Sequence, residues 1–154
     1  MPRFEQSECY LTTPAKAFAL FRRTAERIRF APPDLHLQLV EGPAELRLGS
    51  RLTVKGRRWG VTQRMESEIT AFEEDALIVE EQRQGPFRSW KHTQRFEPTA
   101  EGGVRIMDAI EYEPPGGMLG RLATVEVIQR ELERGMAHRR ERLTEVLAGI
   151  LPFS

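Results

Sequence analysis

The chain has 154 residues, of which 40% are hydrophobic and 30% are charged. This is the mixture of a globular protein and the length suits one domain, so we predict a single domain over residues 1–154. The 23 basic residues equal the 23 acidic ones, which disfavours nucleic acid as a partner. No apolar run reaches the ~20 residues of a membrane span, and Met1–Tyr10 has no apolar signal core, so we expect a cytoplasmic protein without a membrane span.

Few side chains suit metal or nucleophilic chemistry. The single cysteine, Cys9, excludes an intramolecular disulfide, and we interpret it as a small buried hydrophobe. His36 and His138 have no metal-ligating partner at the usual spacing, and no glycine pattern typical of a nucleophile elbow or a phosphate loop occurs. We therefore expect neither a metal nor a cofactor.

The N-terminal part predicts a strand followed by short helices. Arg3–Leu11 has strand-like content, and Thr13 before Pro14 is typical of a helix start. Apolar residues at helical spacing over Ala15–Ile28 indicate two short helices, or one helix with a break near Arg23. Prolines then end the helical region.

Six further runs have a period of two and are separated by short turns. They are Leu35–Val40, a run around Leu52 and Val54, Trp59–Phe72, Ala76–Arg83, Phe87–Glu97 and Val104–Tyr112. Parallel strands would need crossovers of a dozen or more residues, so these runs predict an antiparallel meander with one covered face. In the third run we place five apolar residues on that face: Trp59, Val61, Met65, Ile69 and Ala71.

One local excess of basic charge surrounds Gly56. It consists of Lys55, Arg57 and Arg58, and we interpret it as a solvated hairpin turn. The alternative is a phosphate-binding site.

The C-terminal part predicts one long amphipathic helix. From Met118 to about Ala148 there is no proline, and apolar residues recur three or four apart. Such a helix would be ~45 Å long at 1.5 Å per residue, so a sheet that covers it has to curl around it. Gly120 and Gly135 each cost ~1 kcal/mol relative to alanine inside a helix, which close approach to the sheet or room for a ligand would explain. Because the helix start is apolar on more than one face, we expect that it is buried all round, closes a pocket or docks on another subunit. A homodimer is therefore one possibility.

This order of elements resembles the helix-grip fold of the START/Bet v 1-like superfamily, known as SRPBCC, and its polyketide cyclase-like bacterial branch. The likeness is carried by Thr13-Pro14, Ala31-Pro32-Pro33, Leu48-Gly49, Glu81-Gln82, Gly85-Pro86-Phe87, Trp90-Lys91-His92-Thr93, Phe96-Glu97-Pro98, Asp108-Ala109-Ile110-Glu111-Tyr112, the segment 115–120 and Arg139-Arg140. The resemblance implies an α+β fold: a curved antiparallel sheet of about seven strands wraps a long C-terminal helix, with two short helices after strand 1. It also implies a hydrophobic cavity between sheet and helix.

Alternation in the last two strands places polar side chains inside. His92 and Gln94 share a face with two aromatic residues, and Asp108 shares the inner face of the next strand with Ile110. We predict that the cavity is lined by Val61, Met65, Trp90, His92, Phe96, Asp108, Ile110, Leu122 and Ile128.

His92 and Asp108 have two interpretations. They are an acid–base pair that lines the pocket, or they belong to a polar cluster that joins the strands to Arg139 or Arg140 on the helix. Glu81 is a further candidate for that cluster. Because a buried carboxylate needs a partner and buried ion pairs often have no catalytic role, we favour the structural interpretation. For the arginines, the alternative is a solvated helix end.

The leading functional hypothesis is binding of a small hydrophobic molecule, with most of the affinity from apolar burial. One alternative is a cyclase or dehydratase-type enzyme that acts on a polyketide-like substrate through His92 and Asp108. Another is a protein-interaction module with a vestigial pocket. Since only one buried acid–base pair is visible, the sequence favours binding over catalysis. A void above ~300 Å³ would favour binding or catalysis, and a filled interior would favour the interaction module.

Overall fold

A computed structural model describes residues 1–147 of the chain. Seven strands form one antiparallel sheet in the order β1-β7-β6-β5-β4-β3-β2. The strands are β1 (Arg3–Tyr10), β2 (Gln38–Glu41), β3 (Arg51–Arg58), β4 (Val61–Glu73), β5 (Leu77–Gln84), β6 (Ser89–Pro98) and β7 (Val104–Glu113). The helices are α1 (Pro14–Phe21), α2 (Thr24–Arg29), α3 (Leu119–Leu122) and α4 (Val125–Leu147), with a 3-10 turn at Pro33–Leu35. The predicted α+β helix-grip architecture is confirmed.

Two short helices follow β1, as the sequence predicts. The Thr13 hydroxyl caps α1 by accepting a hydrogen bond from the backbone N–H of Lys16 at 3.2 Å. The break falls at Arg23, whose extended backbone forms an isolated bridge with Glu45. None of the described helices is long and apolar enough to cross a membrane.

The hairpin between β3 and β4 turns later than predicted. Gly56 lies inside β3, and the turn consists of Trp59 and Gly60, whose φ angles are 53° and 80°. Two successive residues with positive φ match the twist of a two-residue hairpin. The predicted turn at Lys55–Arg58 is therefore wrong, and Arg58 is a strand residue on the same face as Leu52 and Val54.

A bulge in β4 reverses the predicted face near the end of that strand. Pairing with β5 shifts between Ile69 and Ala71, so an extra residue interrupts the alternation. Ile69 is buried, but beyond the bulge Phe72 packs against the core. The prediction that Ala71 lies on the inner face is therefore wrong, and Phe72 takes that position. At the other end of the strand, Val61 is 43% exposed.

The C-terminal helical segment has a break after its first turn. The Thr124 hydroxyl accepts a hydrogen bond from the backbone N–H of Val127 at 3.3 Å and so caps α4. The prediction of one continuous helix from Met118 is wrong for this reason, and its predicted end at Ala148 lies outside the described residues. Met118 and Leu122 of the first turn are 84% and 58% exposed.

The apolar core consists of two clusters of buried residues. The first joins α1 to the sheet and to the end of α4, and includes Phe18, Phe21, Ile69, Phe96, Ile106 and Leu143. The second joins the start of α4 to the opposite end of the sheet, and includes Phe4, Phe87, Ile110, Tyr112, Ile128 and Leu132.

The inner face of β1 carries a charge rather than the cysteine. Glu8 is buried and shares its face with Phe4, whereas Cys9 is exposed. The expectation that Cys9 is a buried hydrophobe is wrong, because the alternation of β1 turns it outward.

Candidate functional site

The predicted inner faces of β6 and β7 are confirmed. Gln94 and Phe96 are buried on β6, and the alternate residues of β7 from Val104 to Tyr112 are buried. Gln94 lies directly opposite Asp108 in the strand pairing. The polar side chains of the two strands therefore meet in the interior.

Asp108 is the centre of a buried hydrogen-bond network. Its Oδ2 accepts from the Nε2 of His92 at 2.7 Å, the Nε2 of Gln94 at 3.2 Å and the Nη1 of Arg139 at 2.9 Å. Its Oδ1 accepts from the Nη2 of Arg139 at 2.7 Å. The two parallel bonds from Arg139 form a bidentate ion pair between α4 and β7. A carboxylate with this many donors is fully satisfied in the absence of water.

The helix contributes one arginine to the interior and one to the surface. Arg139 is buried, whereas the side chain of Arg140 is 65% exposed. Both reach Glu8 of β1: the Nη2 of Arg139 lies 3.4 Å from its Oε1, and the Nε of Arg140 lies 2.7 Å from its Oε2. Arg139 therefore interrupts the apolar stripe of the helix because its side chain faces the interior, which is one of the two possibilities that the sequence left open.

A second part of the network surrounds Arg27 of α2. Its Nη1 donates to the Oε1 of Gln94 at 2.6 Å, and its Nη2 donates to the Oε1 of Glu80 at 2.7 Å. The Ser67 hydroxyl donates to the other oxygen of Glu80 at 2.5 Å. Glu80, rather than the predicted Glu81, therefore joins the cluster, because Glu80 shares the inner face of β5 with the buried Ile78.

Charge pairing outweighs burial at Asp108 and Glu80. Burial would raise the pKa of Asp108, but the charge and hydrogen bonds of Arg139, with the hydrogen bond from His92, hold that pKa well below its usual range. Burial likewise opposes the ionisation of Glu80, and the charge of Arg27 lowers its pKa below the ordinary value. Both groups are ionised at neutral pH, so neither can donate a proton there, and the lowered pKa makes each carboxylate a weak base.

A cavity of about 300 Å³ lies between the sheet and α4, next to this network. Its apolar wall is formed by side chains from several parts of the chain, among them Phe30, Leu35, Leu52, Met65, Trp90, Ile110, Leu132 and Met136. Its polar wall includes His92, Gln94, Arg27 and Glu80. A mostly apolar cavity with a few converging polar groups is the usual form of a small-molecule site.

Gly135 of α4 leaves part of this space open. A Cβ atom built at Gly135 meets no atom within 4 Å, and Gly135 lines the cavity. A Cβ at Gly120, in contrast, would lie 2.6 Å from the backbone oxygen of Pro115. The absence of a side chain therefore has a different effect at each glycine. It leaves space beside the cavity at Gly135, and it allows the backbone to approach closely at Gly120.

The nine predicted lining residues fall into two groups. Met65, Trp90, His92 and Ile110 line the cavity. The others lie elsewhere: Val61 is at the exposed start of β4, Leu122 is on exposed α3, Phe96 and Ile128 are inside the two core clusters, and Asp108 lies behind His92. The role of each as a ligand contact stays a prediction.

His92 has one nitrogen held and one available. Because the ionised Asp108 can only accept, the Nε2 of His92 carries the proton of their hydrogen bond. No hydrogen bond joins its Nδ1 to any of residues 1–147, and the side chain lies on the cavity wall. His92 can thus offer a hydrogen-bond acceptor to a bound molecule.

Several site residues escaped the sequence analysis. Glu8 and Glu80 could have been found by extending the alternation from Phe4 and from Ile78. Arg27 could not, because a basic residue in the last turn of a short helix is typical of a solvated helix end. Among residues 1–147, no group of three His, Cys, Asp or Glu side chains could hold a metal ion.

Solved structures share this fold at low sequence identity. The protein TTHA0849 from Thermus thermophilus has a TM-score of 0.72 at 17% identity, over 94% of this chain and 99% of that chain. Ara h 8.0201 has a TM-score of 0.68 at 19% identity over 96% and 98% of the two chains. The major latex-like protein 151 from Panax ginseng has 0.63 at 15% identity over 98% of each.

No family profile matches the sequence, and neither does any curated protein. The structural likeness therefore shows the fold alone: the chain has the helix-grip fold of Bet v 1-like proteins, as the sequence resemblance predicted.

Proposed function

From this helix-grip fold, we propose that the protein binds a small, largely apolar molecule in the cavity between its sheet and α4. The observation that carries the proposal is the cavity itself: about 300 Å³ with apolar walls, next to a polar network. This volume is at the lower end of the usual range for ligand sites. The ligand would therefore be small.

The polar network supports a preformed site. Arg27, Gln94, Asp108 and Arg139 fix the strands and helices around the cavity through buried hydrogen bonds. Side chains that are already ordered lose little conformational entropy when a ligand binds. More of the free energy gained by apolar burial therefore appears as binding affinity. His92 adds one acceptor that sets the ligand's orientation.

Gly135 provides the direct test of this proposal. Gly135→Leu places a side chain in the open part of the cavity, whereas Ala137→Leu adds the same side chain at a neighbouring exposed position. Isothermal titration calorimetry with decanamide should show binding to the native protein and to Ala137→Leu. Gly135→Leu should bind at least about tenfold more weakly while remaining folded by circular dichroism. Equal binding by both variants, or no binding to the native protein, would contradict the proposal.

Native mass spectrometry of the purified protein gives independent evidence. We expect a fraction of the protein to carry a bound molecule of constant mass that is released on unfolding. The same measurement on Gly135→Leu should show the ligand-free mass.

A second candidate function, an enzyme of cyclase or dehydratase type, is favoured by the free Nδ1 of His92 on the cavity wall. In such an enzyme His92 removes a proton from a polyketide-like substrate, Asp108 stabilises the resulting imidazolium, and the imidazolium returns the proton to the departing hydroxyl, which leaves as water. The molecules that co-purify with the native protein and with His92→Gln distinguish the two functions. Enzymatic dehydration predicts masses that differ by one water molecule, and simple binding predicts equal masses.

A further inference from the structure

Arg58 has an unusual position for a charged side chain. It lies at the end of β3 on the inner face, is half-buried, and lines the cavity with Val54 and Leu52. Its guanidinium makes no hydrogen bond or ion pair with any of residues 1–147. It lies against the neighbouring Trp59 ring, whose centre is 5.9 Å from the guanidinium carbon. The five N–H donors of Arg58 are thus without acceptors in the described part of the chain.

The other interior arginines of the cavity each have a carboxylate partner. Arg27 pairs with Glu80 at 2.7 Å, and Arg139 pairs with Asp108 at 2.7 Å. These arginines hold the fold together, and their charge is neutralised. Arg58 is therefore distinguished from them by its missing partner rather than by its residue type.

The charged residues around Arg58 leave its guanidinium without a direct partner among residues 1–147. Arg134 of α4 is neutralised by Asp34 at 2.9 Å, and Glu131 accepts a hydrogen bond from the Nε1 of Trp59 at 2.6 Å without reaching ion-pair distance of Arg58. Arg58 therefore faces one carboxylate, Glu131, whose hydrogen bond goes to Trp59 rather than to Arg58.

A half-buried cation without a partner is costly in free energy. Burial lowers the pKa of Arg58, against the opposing charge of Glu131. An arginine nevertheless stays protonated in proteins, so the charge persists. An anion that enters the cavity would remove this cost and could accept two parallel hydrogen bonds.

We propose that the ligand is amphipathic: a carboxylate, or another group of the same charge, binds Arg58 while its apolar part contacts Trp90, Ile110 and Leu132. This inference rests on the proposed function and narrows its ligand class. The anion binds at the end of the cavity that Arg58 lines, and His92 is a separate polar residue of the same wall.

Two probes and two variants test the proposal. Decanoate and decanamide have the same number of heavy atoms and differ in charge. Arg58→Gln removes the unpaired cation, and Arg57→Gln removes an equal charge from the neighbouring exposed position. Isothermal titration calorimetry should show that the native protein and Arg57→Gln bind decanoate about tenfold or more tightly than decanamide. In Arg58→Gln the two probes should bind equally.

The outcomes separate this inference from the proposed function. If the native protein binds both probes equally, or if Arg58→Gln keeps the preference for decanoate, the anion inference is overturned while the cavity remains a ligand site. If neither probe binds, both proposals fail.

Thermal unfolding without ligand provides a second, independent readout. Removing an unpaired cation should leave the melting temperature of Arg58→Gln equal to or above that of the native protein. A clear decrease would show that Arg58 stabilises the fold, and would overturn its assignment to a ligand.

Discussion

Arg139 and Arg140 are consecutive residues with the same side chain and different surroundings. Arg139 neutralises the buried Asp108, whereas Arg140 lies at the surface and contacts Glu8. Removing one partner of a buried ion pair leaves the other charge uncompensated in the interior. The exposed Arg140 contributes less than Arg139, because water solvates its own charge and the buried Glu8 has further partners.

We expect Arg139→Met to lower the free energy of unfolding by about 3–5 kcal/mol. Arg140→Met should lower it by less, because Arg140 is exposed and the buried Glu8 that it contacts is also bonded by Arg139 and Tyr10. Urea unfolding followed by circular dichroism measures both. Similar losses in the two variants would contradict the assignment of Asp108 to a buried network centred on Arg139.

The interior carboxylates also predict how stability depends on pH. The folded protein lowers the pKa of Asp108 and of Glu80, whereas the unfolded chain has the ordinary values of about 3.9 and 4.3. Their contribution is complete above those unfolded values and is lost as the pH falls toward the lower folded ones. We therefore expect the free energy of unfolding to fall progressively below about pH 4.

Urea unfolding at a series of pH values checks this expectation. Glu80→Gln should reduce the slope of stability against pH on the acid side, and the exposed Glu97→Gln should leave it unchanged. An unchanged slope in Glu80→Gln would show that the pairing with Arg27 does not stabilise the folded state.

The sequence predicts which site residues face the interior where inward and outward side chains alternate along a strand without interruption. His92 and Asp108 lie inside because β6 and β7 alternate without interruption. Glu81 stands out only through the family resemblance, whereas the alternation that Ile78 sets points to Glu80. Arg27 depends on a tertiary contact across the interior, which no local pattern predicts.

The helical segment after β7 contains two glycines that should respond in opposite ways to the same substitution. Gly135 has open space around a built Cβ, whereas a Cβ at Gly120 would lie 2.6 Å from a backbone oxygen. Gly135→Ala should raise the free energy of unfolding by about 0.5–1 kcal/mol, because alanine restricts the unfolded chain and fits the helix. Gly120→Ala should lower it, since the backbone of Pro115 has to move.

Thermal or urea unfolding of the two alanine variants measures these effects. A loss of stability in Gly135→Ala would mean that the space beside α4 is not open, and would remove the basis for its role in the cavity. A neutral Gly120→Ala would remove only the explanation given for that glycine.

Element boundaries were less predictable than element types. The break before α4 depends on the Thr124 cap, a local signal that an unbroken apolar stripe obscured. The position of the β3–β4 turn depends on Trp59 accepting a positive φ, which is uncommon for a bulky residue. The bulge between Ile69 and Ala71 is set by pairing with β5 and has no sequence pattern of its own.

In the described part of the chain, the charged Asp108 network and the cavity separate the two apolar clusters. Phe18, Phe21 and Leu143 belong to one cluster, and Phe87 and Ile128 belong to the other. The Asp108 network and the cavity lie between the clusters, because the cavity wall includes Phe21 of the first cluster and Ile110 of the second. The core is therefore well packed at its two ends, and the cavity lies between them.

A molecule that binds this middle region only in the folded state should stabilise the protein by mass action. At a free concentration of one hundred times the dissociation constant, the expected gain is about 2.7 kcal/mol. Urea unfolding with and without decanoate measures it, and Gly135→Leu should show no gain. An equal gain in Gly135→Leu would place the binding site elsewhere.

The overall architecture was predictable because period-two runs with short turns allow little besides an antiparallel meander, and a long amphipathic helix must cover it. The size and location of the cavity were not predictable. They depend on the side chains that fill the interior, and the sequence does not show that Met65 and Met136 line the cavity whereas Ile128 and Phe96 do not.

The methionine methyl groups provide the most direct measurement of ligand binding in the cavity. The chain has five methionines: Met65 and Met136 line the cavity, and Met1, Met107 and Met118 lie outside it. In a nuclear magnetic resonance titration of methyl-labelled protein with decanoate and with decanamide, we predict that the resonances of Met65 and Met136 shift and saturate together while the other three stay in place. Shifts confined to the outer three, or no shift at saturating probe, would contradict the cavity as a ligand site.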